Sequence, residues 1–143
     1  MALTDLVSLR VEIPAMVILH QSVIPAVVLV VEDEMLLRMR AVDMVEGAGF
    51  TPVEAIDADE AVAILESRSD IALLFTDIQM PGSMDGLKLA HAVHKRWPPI
   101  KIILVSGQLK LANLDIPVDS CFFGKPLEAE VMIAQMQSMI RPT

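Results

Sequence analysis

Cysteine is almost absent from this chain: Cys121 stands alone among 143 residues. One thiol can neither close a disulfide framework nor supply a thiolate metal quartet, and such a protein suits a reducing cytoplasm. Cys121 lies in an apolar run and reads as a small core residue. Positive charge is also scarce. Eleven Lys and Arg stand against nineteen Asp and Glu, a net charge of −8, which counts against nucleic acid or an anionic membrane as the main partner. Internal repeats and low-complexity tracts are missing, and the length fits one domain large enough to bury a real core.

Apolar residues make up 54% of the chain. A parallel sheet covered on both faces accounts for much of that, because its strands read as continuous Val/Ile/Leu runs. The long apolar stretch Val11–Val31 has the composition of a membrane span, but Glu12, Pro14, His20, Gln21 and Pro25 interrupt it. A secretory leader wants a basic start, and here Asp5 precedes the first Arg, Arg10. Residues 1–25 are therefore expected to be an N-terminal extension ahead of a domain at 26–143. Its apolar side chains, Val11, Ile13, Met16, Val17, Ile18 and Leu19 among them, are expected to pack on the domain or on a second copy of the chain in a homodimer.

Strands and helices alternate along the rest. Val27–Val31 is the first strand, and Glu34–Ala48 a helix with Leu37, Ala41, Met44 or Val45, and Ala48 on one face, ended by Gly49. Pro52 places the strand Thr51–Ile56 at a sheet edge. Asp57 and Glu60 have the form of a capping box for a helix over Ala58–Ser67. Ile71–Phe75 reads as a central strand, Leu87–Arg96 as a helix stopped by Trp97-Pro98-Pro99, and Ile100–Val105 as another strand. Gly107–Ser120 is only weakly helical. Cys121–Gly124 and Leu127–Ile140 close the pattern as strand and helix, with Met132, Met136 and Met139 as a core stripe. Five βα repeats make one doubly wound α/β domain.

Four of these strands run into residues that handle a phosphoryl group or a metal: Glu32-Asp33, Asp77, Ser106 and Lys125-Pro126. The carboxyl ends of parallel strands are where an open α/β sheet places its ligand crevice. Asp77 is the candidate nucleophile, since a carboxylate can take a phosphoryl group as an acyl phosphate. Glu32 and Asp33 supply hard oxygen ligands for Mg²⁺. Lys125 brings a mobile positive charge to a phosphoryl oxygen, and Ser106 a hydrogen-bond donor to another. Singly, each has a blander reading: a solvated helix start, a turn acid, a cap, a surface charge. Their joint placement after four strands makes those readings improbable together. His91 and His94 lack further ligands at metal spacing, and His20 is isolated.

The blocks Val30-Val31-Glu32-Asp33-Glu34, Thr76-Asp77-Ile78-Gln79-Met80-Pro81, Met84-Asp85-Gly86, Val105-Ser106-Gly107 and Phe123-Gly124-Lys125-Pro126 resemble the signature blocks of a response regulator receiver domain. The resemblance runs from Ala26 to Ile140. It implies a flavodoxin-like five-stranded parallel sheet of order 2-1-3-4-5, and phosphorylation of Asp77 by a histidine kinase or histidine phosphotransfer protein. It further implies Mg²⁺ held by Asp33, Asp77 and the Gln79 backbone carbonyl with Glu32 secondary, a switch pair of Ser106 and Phe122, and a cis Lys125-Pro126 peptide. Function would then be phosphorylation-dependent binding of a downstream protein by a stand-alone receiver, which supports its own phosphotransfer and dephosphorylation without being an enzyme in the usual sense. Alternatives are a phosphorelay intermediate, a phosphate sink or a phosphorylation-independent pseudo-receiver.

Three departures stand out. Glu32 replaces the commoner Asp, Gly82-Ser83 lengthens the loop after Pro81, and the interval from Ser106 to Lys125 is about one helical turn short, which predicts a shortened fourth helix. Two other classes fail on particular residues. A haloacid-dehalogenase-type hydrolase needs a second Asp where Gln79 stands, and a flavodoxin's phosphate cradle would be repelled by Glu32-Asp33.

Overall fold

Five consecutive branched apolar residues can be buried completely only where both faces of a sheet are covered. Val27–Val31 does this as strand β1, buried at every position. The computed structural model describes residues 24–108 and 115–141, and β1 lies near the middle of its sheet. The strands β2 (Thr51–Ala55), β3 (Ile71–Asp77), β4 (Lys101–Ser106) and β5 (Cys121–Gly124) complete a parallel sheet of order β2-β1-β3-β4-β5. Among the described residues there are four helices: α1 (Met35–Gly47), α2 (Ala58–Ser67), α3 (Gly86–Arg96) and α4 (Ala129–Ile140). Pro52 sits in the edge strand β2, as a residue without an N–H must.

The sheet separates two apolar layers. On one face Ala41, Met44, Val45 and Ala48 of α1 and its end meet Met132 and Met136 of α4 over Val28, Val30, Leu73, Phe75, Ile103 and Val105. On the other, Ala58, Ala61 and Leu65 of α2 and Leu89, Ala90 and Val93 of α3 cover Leu29, Val31, Leu74, Ile102 and Leu104. The one-residue parity of a strand thus assigns alternate side chains to different helices.

Chain punctuation follows local chemistry. Gly49 leaves α1 at φ 91°, a left-handed turn open to glycine. Asp57 caps α2 by accepting from the Glu60 N–H at 2.9 Å, while Glu60 accepts from the Ile56 N–H at 2.8 Å, one residue earlier than a reciprocal capping box would use. α1 is one residue shorter at each end than its periodicity predicts. α4 begins at Ala129, two residues after the expected Leu127: Glu128 is its N-cap in an extended conformation, and the Leu127 carbonyl, outside the helix, accepts from the Arg40 guanidinium at 3.1 Å. The expected shortened fourth helix falls largely on residues 109–114, outside the described residues; 115–120 form no helix. The expected extension also lies outside them, Ile24 and Pro25 excepted.

Met136 has no exposed surface, whereas Val131 on the same helix is 51% exposed. Met136→Ala is therefore expected to cost about 2–5 kcal/mol, and Val131→Ala to stay within about 0.5 kcal/mol. Urea unfolding of the two variants against the wild type checks the contrast.

Candidate functional site

The carboxyl end of the sheet gathers the four strand-end groups. Glu32 follows β1 directly, Asp77 is the last residue of β3, Ser106 the last of β4, and Lys125 follows β5. Lys125 is held in place by its own backbone N–H, which donates to the Ser106 carbonyl at 2.8 Å, and the Lys125-Pro126 peptide is cis. The Ile78 N–H likewise donates to the Val105 carbonyl at 2.9 Å. These bonds continue the sheet beyond its strands and fix the depth of each functional side chain.

α3 is docked unusually close to the end of β3. The Gly86 N–H donates to the Ile78 carbonyl at 2.8 Å, and a Cβ at Gly86 would overlap the Asp77 carbonyl oxygen. Only glycine allows that approach. Asp85 caps the helix by accepting from the Lys88 N–H at 2.9 Å, so Asp85-Gly86 fixes where the backbone of Asp77 stops.

The Glu32, Asp33 and Asp77 carboxylates each offer an oxygen within 4.8 Å of the others. Glu32 and Asp77 are buried and Asp33 is exposed. Lys125 Nζ lies 3.3 Å from Glu32 Oε1 and 3.2 Å from Asp77 Oδ1. The second Glu32 oxygen accepts from the Glu34 N–H at 3.1 Å. Asp77 Oδ1 is different: despite the nearby lysine it has no aligned hydrogen-bond donor among the described residues. One ammonium thus serves two buried carboxylates and satisfies neither fully.

Burial raises the proton affinity of Glu32 and of Asp77 above the ordinary carboxylate range. The neighbouring acids add to that, and Lys125 works against it. The lysine is pushed the other way from its desolvation: the two carboxylates hold its proton more tightly than usual. A cluster made only of carboxylate oxygens, with one ammonium shared between its two buried members, fits a small hard divalent cation such as magnesium.

The remaining candidates are placed as follows. Ser106 is fully buried; its hydroxyl donates to Gln79 Oε1 at 2.7 Å and accepts from the Gln108 N–H at 3.0 Å. Phe122 is half-buried, level with Leu104 on the next strand, and belongs to the layer under α2 and α3. Gln79 lies in the loop leaving β3, its side chain exposed. His91 Nε2 is 2.6 Å from the Asp115 carbonyl, and neither His91 nor His94 joins a metal-ligating group among the described residues. Three contacts escaped the sequence. The Gln79 carboxamide reaches Ser106, Gly86 is a steric necessity, and Arg38 braces the site by donating to the Glu32 carbonyl at 2.9 Å and to Glu54 at 3.0 Å. The i-to-i+6 spacing of Glu32 and Arg38 carries no signal of its own, because the bond depends on how β1 turns into α1.

A carboxylate whose folded pKa lies above its unfolded value destabilises the fold increasingly as pH rises from the unfolded pKa through the folded one. Glu32 and Asp77 are of this kind. Lys125 has the opposite sense and stabilises throughout the acid and neutral range, losing that effect only above the ordinary lysine range. The depressed Asp70 is fully exposed beside Arg68 and screened by solvent. In metal-free buffer the protein is therefore expected to gain stability on going from neutral pH down to the ordinary carboxylate range, and Asp77→Asn to flatten that gain. Urea unfolding at both ends of that span measures it; an equal slope in the variant contradicts it.

A sequence profile of the response regulator receiver domain matches residues 28–136. The sensor kinase CckA of Brucella abortus is 34% identical over 119 residues, 80% of this chain and 12% of that protein. The nitrogen assimilation regulatory protein NtrX of Azorhizobium caulinodans is 28% identical over 113 residues, 74% of this chain and 24% of that protein. The chain thus spans no more than a quarter of the length of either relative. Among solved structures, the receiver domain of a hybrid histidine kinase CckA superposes with a TM-score of 0.69 at 26% identity, covering 81% of this chain and all of that one. A response regulator receiver protein from Sinorhizobium medicae shares the fold with a TM-score of 0.75 at 23% identity, covering 83% and 97%. With the strand order and the acidic cluster already in place, the profile match settles the family: the chain belongs to the response regulator receiver domains of two-component signalling.

Proposed function

We propose that Asp77 accepts a phosphoryl group from the phosphohistidine of a histidine kinase or histidine phosphotransfer protein, and that the phosphorylated form signals by binding a downstream protein. The observation that carries this reading is Asp77 Oδ1, a buried carboxylate oxygen 3.2 Å from a lysine ammonium that it shares with Glu32.

In the transfer, an Asp77 oxygen attacks phosphorus while the phosphorus–nitrogen bond to the imidazole breaks, the nitrogen keeping the electron pair. The product is an acyl phosphate. Burial keeps water from solvating the attacking carboxylate, and Lys125 offsets the negative charge brought by the phosphoryl oxygens. The Ser106 hydroxyl donates to one of those oxygens. Asp33, Asp77 and the Gln79 backbone carbonyl would hold Mg²⁺, with Glu32 as a secondary ligand; when bound, the ion supplies the positive charge that one lysine cannot. Hydrolysis of the acyl phosphate breaks the phosphorus–oxygen bond and returns Asp77 and inorganic phosphate, so the chain resets its own signal. Phe122 takes part in the switch by packing, since it has no hydroxyl to exchange.

The similarity to a sensor kinase and to a hybrid kinase receiver supports a phosphohistidine donor, and it favours a place within a phosphorelay as the second reading. A docking surface for such a donor lies beside the cluster. Met35, Leu36 and Met39, in the first turns of α1, are 62%, 69% and 54% exposed, and Ile56 after β2 is 49% exposed. All four sit at the carboxyl end of the sheet, around the acids.

Acetyl phosphate with Mg²⁺ is expected to add one phosphoryl group, read by intact mass, and Asp77→Asn to abolish it. Modification that persists in Asp77→Asn removes the assignment. Met39→Glu is expected to slow transfer from a phosphohistidine protein at least tenfold, the loss of about 1.4 kcal/mol of docking energy, while leaving the rate with acetyl phosphate unchanged. Equal slowing with both donors assigns the effect to the site and not to docking.

A further inference from the structure

The Ser106 hydroxyl is fully engaged before any phosphoryl group arrives. Its single proton goes to Gln79 Oε1 at 2.7 Å, and it accepts from the Gln108 N–H at 3.0 Å. A hydroxyl has one proton to give. It cannot donate to Gln79 and to a phosphoryl oxygen on Asp77 at the same time. Gln79 lies two residues beyond Asp77, so the acceptor that occupies the Ser106 proton moves with the loop carrying the phosphorylation site.

We propose that the Gln79 carboxamide is a latch on Ser106, holding its hydroxyl proton away from Asp77 in the unphosphorylated protein and setting how readily the site accepts a phosphoryl group. This inference rests on the phosphoacceptor reading of Asp77 and adds a positioning residue to it. The backbone carbonyl of Gln79 belongs to the proposed metal site; the latch uses the side chain alone.

The chemistry limits the size of the effect. A neutral hydroxyl–carboxamide bond contributes modestly, and Gln79 is exposed, so water competes for its oxygen. Once the latch is absent, the Ser106 hydroxyl is free to donate in the transition state, where the phosphoryl oxygens carry the most charge. An interaction that is stronger there than in the ground state raises the rate. Gln79→Leu keeps the bulk of the side chain and removes the acceptor. Because the Gln79 side chain is exposed, the variant is expected to fold, with a melting temperature lowered by no more than a few degrees through the acceptor lost to the buried Ser106 hydroxyl.

The test is a double-mutant cycle on the phosphorylation rate with acetyl phosphate and Mg²⁺, followed by intact mass in the wild type, Gln79→Leu, Ser106→Ala and the double variant. Gln79→Leu is expected to accelerate phosphorylation roughly two- to tenfold, the range a net hydrogen bond allows. The acceleration is expected to vanish when Ser106 is already Ala, a dependence that a general loosening of the loop would not produce. Gln79→Glu, which keeps a carbonyl-type acceptor, is expected to phosphorylate no faster than the wild type. Three results overturn the latch alone: phosphorylation of the wild type with an equal or slower rate in Gln79→Leu, an acceleration that survives Ser106→Ala, or a Gln79→Glu variant as fast as Gln79→Leu. A wild type that takes up no phosphoryl group overturns the phosphoacceptor reading and the latch with it.

Discussion

One ammonium group between two buried carboxylates is the interaction on which the rest of this molecule turns. Lys125 Nζ stands 3.3 Å from Glu32 and 3.2 Å from Asp77, with Asp33 at the rim of the same cluster. Removing charges from water is costly, and a shared partner offsets only part of that cost. The cluster is therefore left short of positive charge by construction. Burial, with the neighbouring acids, raises the proton affinity of both carboxylates against the pull of Lys125, and the deficit is what a hard cation would fill. A site satisfied internally would have no such response.

The fold exists to hold those groups at a fixed depth. Four different strands deliver them, and the backbone bonds from Lys125 to the Ser106 carbonyl and from Ile78 to the Val105 carbonyl tie neighbouring strand ends together. The two apolar layers stabilise this arrangement from both faces of the sheet, and Gly86 lets α3 close against the last residue of β3. Stability and function pull in opposite directions only at the strand ends, where acids replace the Val and Leu residues that fill the strands.

The strands were legible in the sequence because a parallel sheet buried on both faces leaves uninterrupted runs such as Val27–Val31, and the edge position of β2 was legible from Pro52 alone. The acids, Ser106 and Lys125 were legible because each follows such a run, so their convergence needs only the parallel topology. What stayed hidden depends on three-dimensional approach. The Gln79 side chain meets Ser106 across 27 residues of sequence, a distance no local pattern encodes. Gly86 stood in one of the quoted blocks, but the reason for it, a missing Cβ that leaves room for the Asp77 carbonyl, shows only in three dimensions. The Leu127 carbonyl, just ahead of α4, accepts from Arg40 on a different helix. Periodicity along one helix cannot report a bond from another.

The buried acids leave a charge deficit that fits a divalent cation. Calorimetric titration of Mg²⁺ into the unphosphorylated protein near neutral pH tests it most directly, with Asp33→Ala and Asp77→Asn alongside. The wild type is expected to bind one Mg²⁺, with a clear loss of affinity in both variants. No binding by the wild type, or the same affinity in all three proteins, would contradict it.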